Sequence, residues 1–183
     1  MAESKISDNQ LTGTLSAARF PSNSIIQVKY TQFTGTNSIS CPTVTEAVFT
    51  DLTVSITPSS TSSIIKIEAG IMGEFDVTQV PFNFMFYFLR DSTFLGAPTA
   101  GNRTSGIQSP APSYHLENTS TPESCYYSYF DSPSSTSSIT YKVAGKNGWT
   151  ANSTFYLNRT VNDADSSQYE RGVSFICATE IAG

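Results

Sequence analysis

The stretch Ser63-Ile64-Ile65-Lys66-Ile67-Glu68-Ala69-Gly70-Ile71-Met72 decides the fold class. In an extended chain Ile65, Ile67, Ala69 and Ile71 fall on one side and Lys66, Glu68 and Gly70 on the other. That pattern is a strand with one dry and one wet face, the kind found in antiparallel sheets. The same texture recurs along the chain as short alternating or wholly apolar runs separated by turn residues, without a sustained helical period. Strands are predicted at Ile25 to Thr34, Val48 to Thr57, Ser63 to Met72, Phe82 to Arg90, Cys125 to Asp131, Ser138 to Gly145, Ser153 to Arg159 and Gly172 to Ile181. In the last of these the apolar face is expected to run through Val173, Phe175, Cys177, Thr179 and Ile181. Eight strands fit an all-β, antiparallel jelly-roll β-sandwich.

Composition agrees with this. The 183 residues make about one domain, which buries roughly 70% of the surface its unfolded chain exposes. Nine Tyr and 12 Phe make much of the core aromatic, and aromatics favour strands. Ser and Thr total 51, which suits turns and exposed strand faces rather than helix interiors. Ten basic against 15 acidic residues, with no basic cluster, argue against nucleic acid or an anionic membrane as partner. No apolar run is long enough to span a bilayer, and Met1 to Gln10 lack the apolar core of a secretion signal.

Two features are not absorbed by the alternation. In Phe82-Asn83-Phe84-Met85-Phe86-Tyr87-Phe88-Leu89 the phenylalanines fill one face while Met85, Tyr87 and Leu89 make the opposite face apolar as well. That second face needs a cover, either a subunit interface or the chain's own loops, and a homotrimer contact at Met85, Tyr87 and Leu89 is the expectation. Pro58-Ser59-Ser60-Thr61-Ser62-Ser63-Ile64 recurs letter for letter as Pro133-Ser134-Ser135-Thr136-Ser137-Ser138-Ile139, and each copy precedes a strand. A proline-initiated turn used twice at the same kind of sheet corner accounts for it.

Residues 1–24 are polar with isolated Ile6, Leu11, Leu15 and Phe20, too little to fold alone. They read as a disordered tail or as an extended attachment arm anchored by those four residues, ahead of a sandwich domain spanning 25–183. A second irregular stretch, Gly96 to Glu123, holds four prolines.

No catalytic, cofactor or metal constellation is legible. The single histidine, His115, lies in the Pro-rich stretch without a nucleophile motif, and neither a phosphate-cradling glycine pattern nor a His/Cys cluster is present. The carboxylates Glu74 and Asp76, or Asp163, Asp165 and Glu170, are candidates for an acid and base pair by proximity alone. Asn162 to Asp165 reads as a polar hairpin turn rather than a calcium loop. Cys41, Cys125 and Cys177 have neither disulfide-framework nor metal spacing. Sequons at Asn102, Asn118, Asn152 and Asn158 read as products of composition.

Several stretches resemble a family of small tail fibre or virion structural proteins of marine and cyanobacterial tailed phages. They are Leu11-Thr12-Gly13-Thr14-Leu15, Ile25-Ile26-Gln27-Val28, Asp51-Leu52-Thr53-Val54-Ser55-Ile56-Thr57-Pro58, Leu89-Arg90-Asp91-Ser92-Thr93, Phe130-Asp131-Ser132-Pro133, Leu157-Asn158-Arg159 and Glu180-Ile181-Ala182-Gly183. The resemblance covers nearly the whole chain and rests on turn and strand motifs. It implies a trimeric β-sandwich displayed on the particle, without enzymatic activity, docked to other virion proteins through the N-terminal arm and offering its loops to a host surface glycan. Tail fibre or tail tip is the expected place. The alternatives are a capsid fibre or decoration protein, and further off a lectin or a polysaccharide depolymerase.

Overall fold

A computed structural model of the chain describes residues 20–76, 83–99, 101–110 and 121–183. These form ten strands and no helix: β1 (Ile25–Phe33), β2 (Asn37–Cys41), β3 (Glu46–Ile56), β4 (Ile64–Phe75), β5 (Phe84–Arg90), β6 (Thr93–Leu95), β7 (Glu123–Asp131), β8 (Ile139–Asn147), β9 (Ser153–Leu157) and β10 (Ser174–Ile181). The architecture is all-β, two antiparallel sheets sharing one core. All eight predicted strands occur, with ends shifted by at most three residues. β2 and β6 were not predicted. The first is a polar edge piece and the second has only three residues, closing a tight hairpin on β5 through Asp91 at φ 53°.

Gly73 of β4 pairs both with Glu123 of β7 and with Leu157 of β9, so those two strands lie on opposite edges of β4. β9 and β10 therefore follow one another along a single edge of β4, and β2 and β1 follow one another outside them, β1 on β10 and β2 on β9. The first sheet is thus four strands wide: β1/β2, β10/β9, β4, β7. The second runs β3, β8, β5, β6.

Where β1 gives way to β2 and β9 to the loop before β10, the ladder is interrupted, and Asn158 fills the gap. It is fully buried and sits in left-handed backbone at φ 61°. Its Nδ2 donates to the carbonyls of Phe33 and Gly35, both at 2.8 Å, and its Oδ1 accepts from Ser174 Oγ at 2.6 Å. Its own backbone N–H donates to Met72 O at 2.8 Å. Backbone carbonyls that the ladder cannot pair are satisfied here by one amide side chain. With both amide atoms engaged, the Asn158 sequon is no surface acceptor.

The core faces match the alternation on β4, where Ile65, Ile67 and Ala69 have no exposed surface. Rings from both sheets meet there, Phe75 with Phe155 at 4.8 Å between centroids, Phe84 with Phe86 at 4.9 Å and Phe88 with Tyr127 at 4.6 Å, in the edge-on and offset geometries that aromatic quadrupoles favour. A bulge in β3 between Phe49 and Thr53 shifts its parity, so the buried set runs Ala47, Phe49, then Leu52, Val54, Ile56.

On β10 the expected face is corrected. Ile176 and Ala178 point into the core and are fully buried, whereas Val173 is exposed and Phe175, Cys177 and Ile181 are only half-covered on the outer side. The register shows why: Ile176 lies opposite Ala69 and Ala178 opposite Ile67, both core residues of β4. Glu180 shares that inner face, and its charge is satisfied rather than wet. Its Oε1 accepts from the Ser59 N–H at 2.7 Å, Ser59 Oγ at 2.5 Å and Ser63 Oγ at 2.7 Å, and Oε2 accepts from Gln27 Nε2 at 2.6 Å.

Two of those serines belong to the first copy of the repeated heptapeptide. Both copies carry the chain between the sheets at the same end of the sandwich, since β4 begins beside the end of β7 and β3 ends beside the start of β8. The copies share one local contact, Ser62 N–H to Ser60 Oγ at 3.2 Å and Ser137 N–H to Ser135 Oγ at 3.0 Å, while the backbone turn closed by Ser63 N–H on Ser60 O at 3.2 Å belongs to the first. The copies diverge at their second residue: Ser59 caps Glu180, while Ser134 takes φ 52°.

Candidate interaction surface

The second face of β5 is covered by the chain itself. Tyr87 and Leu89 are 2% and 4% exposed and, with Ala144, form a satellite cluster against Val48 and Ile107. Phe94 packs against Tyr87 with centroids 4.7 Å apart and ring planes tilted by 58°. The segment carrying Ile107 is held to β5 by hydrogen bonds of 2.7 Å between Phe86 N–H and Gln108 O and between Ile107 N–H and Phe86 O. Gly106 permits that approach, because a Cβ there would lie 2.6 Å from the Cβ of Met85. Of the expected subunit contact, Tyr87 and Leu89 are therefore sealed within one chain, while Met85 is half-buried beside the end groove.

The uncovered apolar surface lies on the outer face of the other sheet. Tyr127 is buried opposite Ala69, so its neighbours Tyr126, Ser128 and Phe130 face outward. Pairing then gives rows across the face: Val28, Thr179, Lys66 and Phe130; Tyr30, Cys177, Glu68 and Ser128; Gln32, Phe175, Gly70 and Tyr126. Phe175 lies flat over Gly70, where a Cβ would meet its ring at 2.4 Å. Among the described residues eight large hydrophobic side chains are exposed, and four stand in these rows: Val28 49%, Tyr30 71%, Tyr126 60% and Phe130 60%. The three aromatics present roughly 400 Å² at about 200 Å² per ring, divided between the β1 edge and the β7 edge of the face.

The charged groups on the mid-face rows neutralise one another. Lys66 Nζ stands 2.8 Å from Glu68 Oε1, and the Tyr126 hydroxyl donates to the same carboxylate. Burial pushes the Glu68 carboxyl up, but Lys66 and Tyr126 outweigh it and hold it below the ordinary value of 4.5.

Of the carboxylates weighed for chemistry, Asp163 is tied to Arg171 at 2.7 Å and to Arg159 at 3.9 Å in the loop between β9 and β10, which an Arg159–Arg171 bridge closes at its base. Glu74 is buried and its Oε2 accepts from Val161 N–H at 2.7 Å. The fold gives Glu74 a like-charged neighbour that sequence reasoning missed, Glu123 at the start of β7. Burial and then the Glu74 charge push the Glu123 carboxyl up to about 7. A raised carboxyl pKa means that the unfolded chain ionises first, so Glu123 subtracts stability as pH rises from 4.5 towards 7. Glu123→Gln is expected to raise the urea midpoint well above pH 7, by about 1 kcal/mol after discounting for solvent, and to leave it unchanged well below pH 4.5.

Cys41 is fully buried, and burial pushes its thiol up to about 12, so it is an inert core residue. Among the described residues no group of three or more His, Cys, Asp or Glu is placed to hold a metal ion. At the opposite end of the sandwich from the repeated corners, a groove of about 440 Å³ is lined by Asn83, Asn102, Arg103, Thr104 and Ser109 together with Phe84, Met85 and Gly148. Of the expected attachment residues, Phe20 is half-buried at the start of the described chain, while Ile6, Leu11 and Leu15 lie outside the described residues, as does His115. No protein-family model matches this chain, and no curated protein matches it either.

Proposed function

We propose that the chain is a structural and binding module of a tailed-phage particle, a homotrimeric jelly roll that forms part of a tail fibre or tail tip and joins the particle through its N-terminal residues. The observation that carries this reading is the strand order. Counting β1/β2 and β9/β10 each as one strand leaves eight, ordered 1-8-3-6 in one sheet and 2-7-4-5 in the other, which is the order of two interleaved Greek keys. The turn and strand motifs shared with small phage virion proteins support the same reading. The groove at the end remote from the repeated corners, with amide, hydroxyl and guanidinium groups along it and Phe84 and Met85 in its wall, suits a ligand with hydroxyls and an apolar face such as a host surface glycan.

Labelling the chain on intact particles and imaging them tests the proposal: signal at the tail is expected. Signal on the head would make it a capsid fibre or decoration protein, and absence from purified particles would overturn the reading.

A further inference from the structure

We infer that the groove at the end of the sandwich takes a sugar that bears a negative charge, a uronate or a sulfated sugar, and that Arg103 reads the charge. This rests on the glycan binding proposed above and narrows it to one class of sugar.

The groove lies where two loops meet the start of β5. One of them, carrying Asn102, Arg103 and Thr104, is closed by Ala97 N–H on Gly106 O at 3.1 Å and fastened to β5 through Ile107 and Gln108. Gly101, at φ 62°, turns its tip, and Arg103 Nη1 comes back to 3.9 Å from where a Cβ on Gly101 would stand. The other loop is set by Asn147, which is fully buried. Its Nδ2 donates to Cys41 O at 3.0 Å and to Ala151 O at 2.9 Å, and its Oδ1 accepts from Trp149 N–H at 2.8 Å. Gly148 N–H then donates to Asn83 O at 3.0 Å, and the missing side chain of Gly148 admits Thr104, whose Oγ1 a Cβ there would strike. Hydrogen bonds therefore fix both walls, and a ligand meets groups already in place.

Among the residues that line the groove Arg103 is the one that carries a charge and none is acidic, in a chain of net charge −5. Such a chain repels anions over most of its surface, so an anion is accepted where the local charge is positive. A guanidinium holds a carboxylate or a sulfate through parallel N–H donors in a planar fork, a match that no neutral hydroxyl offers. The amides of Asn83 and Asn102 and the hydroxyls of Thr104 and Ser109 suit the hydroxyls of the sugar, and Met85 suits the C–H face of its ring.

The test is calorimetric titration of the full chain with an oligogalacturonate, a sulfated carrageenan oligosaccharide and neutral maltohexaose, for the wild type, Arg103→Gln and Gly148→Ala. The wild type is expected to bind one or both acidic sugars at least about tenfold more tightly than maltohexaose, and binding of the galacturonate alone or of the sulfated sugar alone identifies the anion. Arg103→Gln, a change at an exposed residue that leaves the core alone, is expected to abolish that preference and to keep the affinity for maltohexaose. Gly148→Ala displaces Thr104 from the wall and is expected to weaken whatever the wild type binds, with the thermal midpoint showing that the chain still folds. A preference that survives Arg103→Gln, or maltohexaose bound as tightly as the acidic sugars, overturns the charge assignment and leaves the groove as a glycan site. Affinities unchanged in Gly148→Ala place the sugar elsewhere and overturn this inference. No binding of any of the three overturns the glycan reading and this inference together.

Discussion

Glu180→Ala is expected to destabilise the fold by roughly 3 kcal/mol, from the loss of hydrogen bonds to a charged acceptor and a corner N–H left without a partner. The carboxylate has no exposed surface, yet it accepts four hydrogen bonds, three from the first serine-rich corner and one from Gln27 of β1. It therefore ties the β3–β4 corner and the edge strand β1 to the last strand. Truncation leaves the Ser59 N–H without its acceptor and opens space beneath the corner, while Gln27 and the hydroxyls can turn elsewhere. Glu180→Gln keeps the shape but sets an N–H₂ against either Gln27 or Ser59, so about half the loss is expected, on the scale of ~1–3 kcal/mol per unsatisfied partner. Burial pushes the Glu180 carboxyl up, but the donors from Ser59, Ser63 and Gln27 outweigh it and hold it below 4.5. A depressed carboxyl pKa contributes stability that is full above the unfolded value of 4.5 and is lost as pH falls through the folded value. Urea unfolding at fixed protein concentration, above and below that pH, should show Glu180→Gln losing the acid limb that the wild type keeps. An unchanged acid limb would mean that the corner does not hold the carboxylate as described. Glu123 works in the opposite sense, so the pair of variants separates the two limbs.

The same residue explains where the sequence misleads. Alternation located eight strands because a strand with one wet face writes its period into the chain, as Ile65 to Ile71 do. On β10 the period is equally clear, but the face placed through Val173, Phe175, Cys177, Thr179 and Ile181 is the outer one, and the inner one carries Glu180, whose burial depends on donors more than a hundred residues away in sequence. The double apolar face of β5 was legible, whereas its cover was not. Ile107 sits in a stretch with few apolar residues, and its docking rests on backbone hydrogen bonds that no side-chain pattern announces. The candidate surface was hidden for another reason. Tyr126-Tyr127-Ser128-Tyr129-Phe130 offers aromatics to both faces, and only the pairing of Tyr127 with Ala69 tells which of them remain outside. Its counterpart Tyr30 joins that face solely through the register β1 takes on β10.

Asn158 gives the sharpest remaining test, because its place depends on geometry that only an amide satisfies. Asn158→Ala is expected to cost about 2 kcal/mol, since the part-buried carbonyls of Phe33 and Gly35 lose a donor that water only partly replaces and the Ser174 hydroxyl falls back on the Met72 backbone. Its left-handed backbone adds a second requirement, since asparagine tolerates φ 61° better than alanine does. Glycine at this position isolates the two effects: Asn158→Gly relieves the backbone and still loses the amide, so it should be less damaging than alanine while remaining well below wild type. Asn158→Asp matches the native side chain in size and places a carboxylate oxygen against two carbonyls. It should be the worst of the three, because a buried charge facing acceptors gains nothing from its shape. Denaturation midpoints in the order wild type, Gly, Ala, Asp would establish that one side chain bridges the break between β1 and β2. Were Asp equal to Ala, the amide would not be donating to Phe33 and Gly35, and the continuity of the edge strand would have to come from the β2–β9 ladder alone.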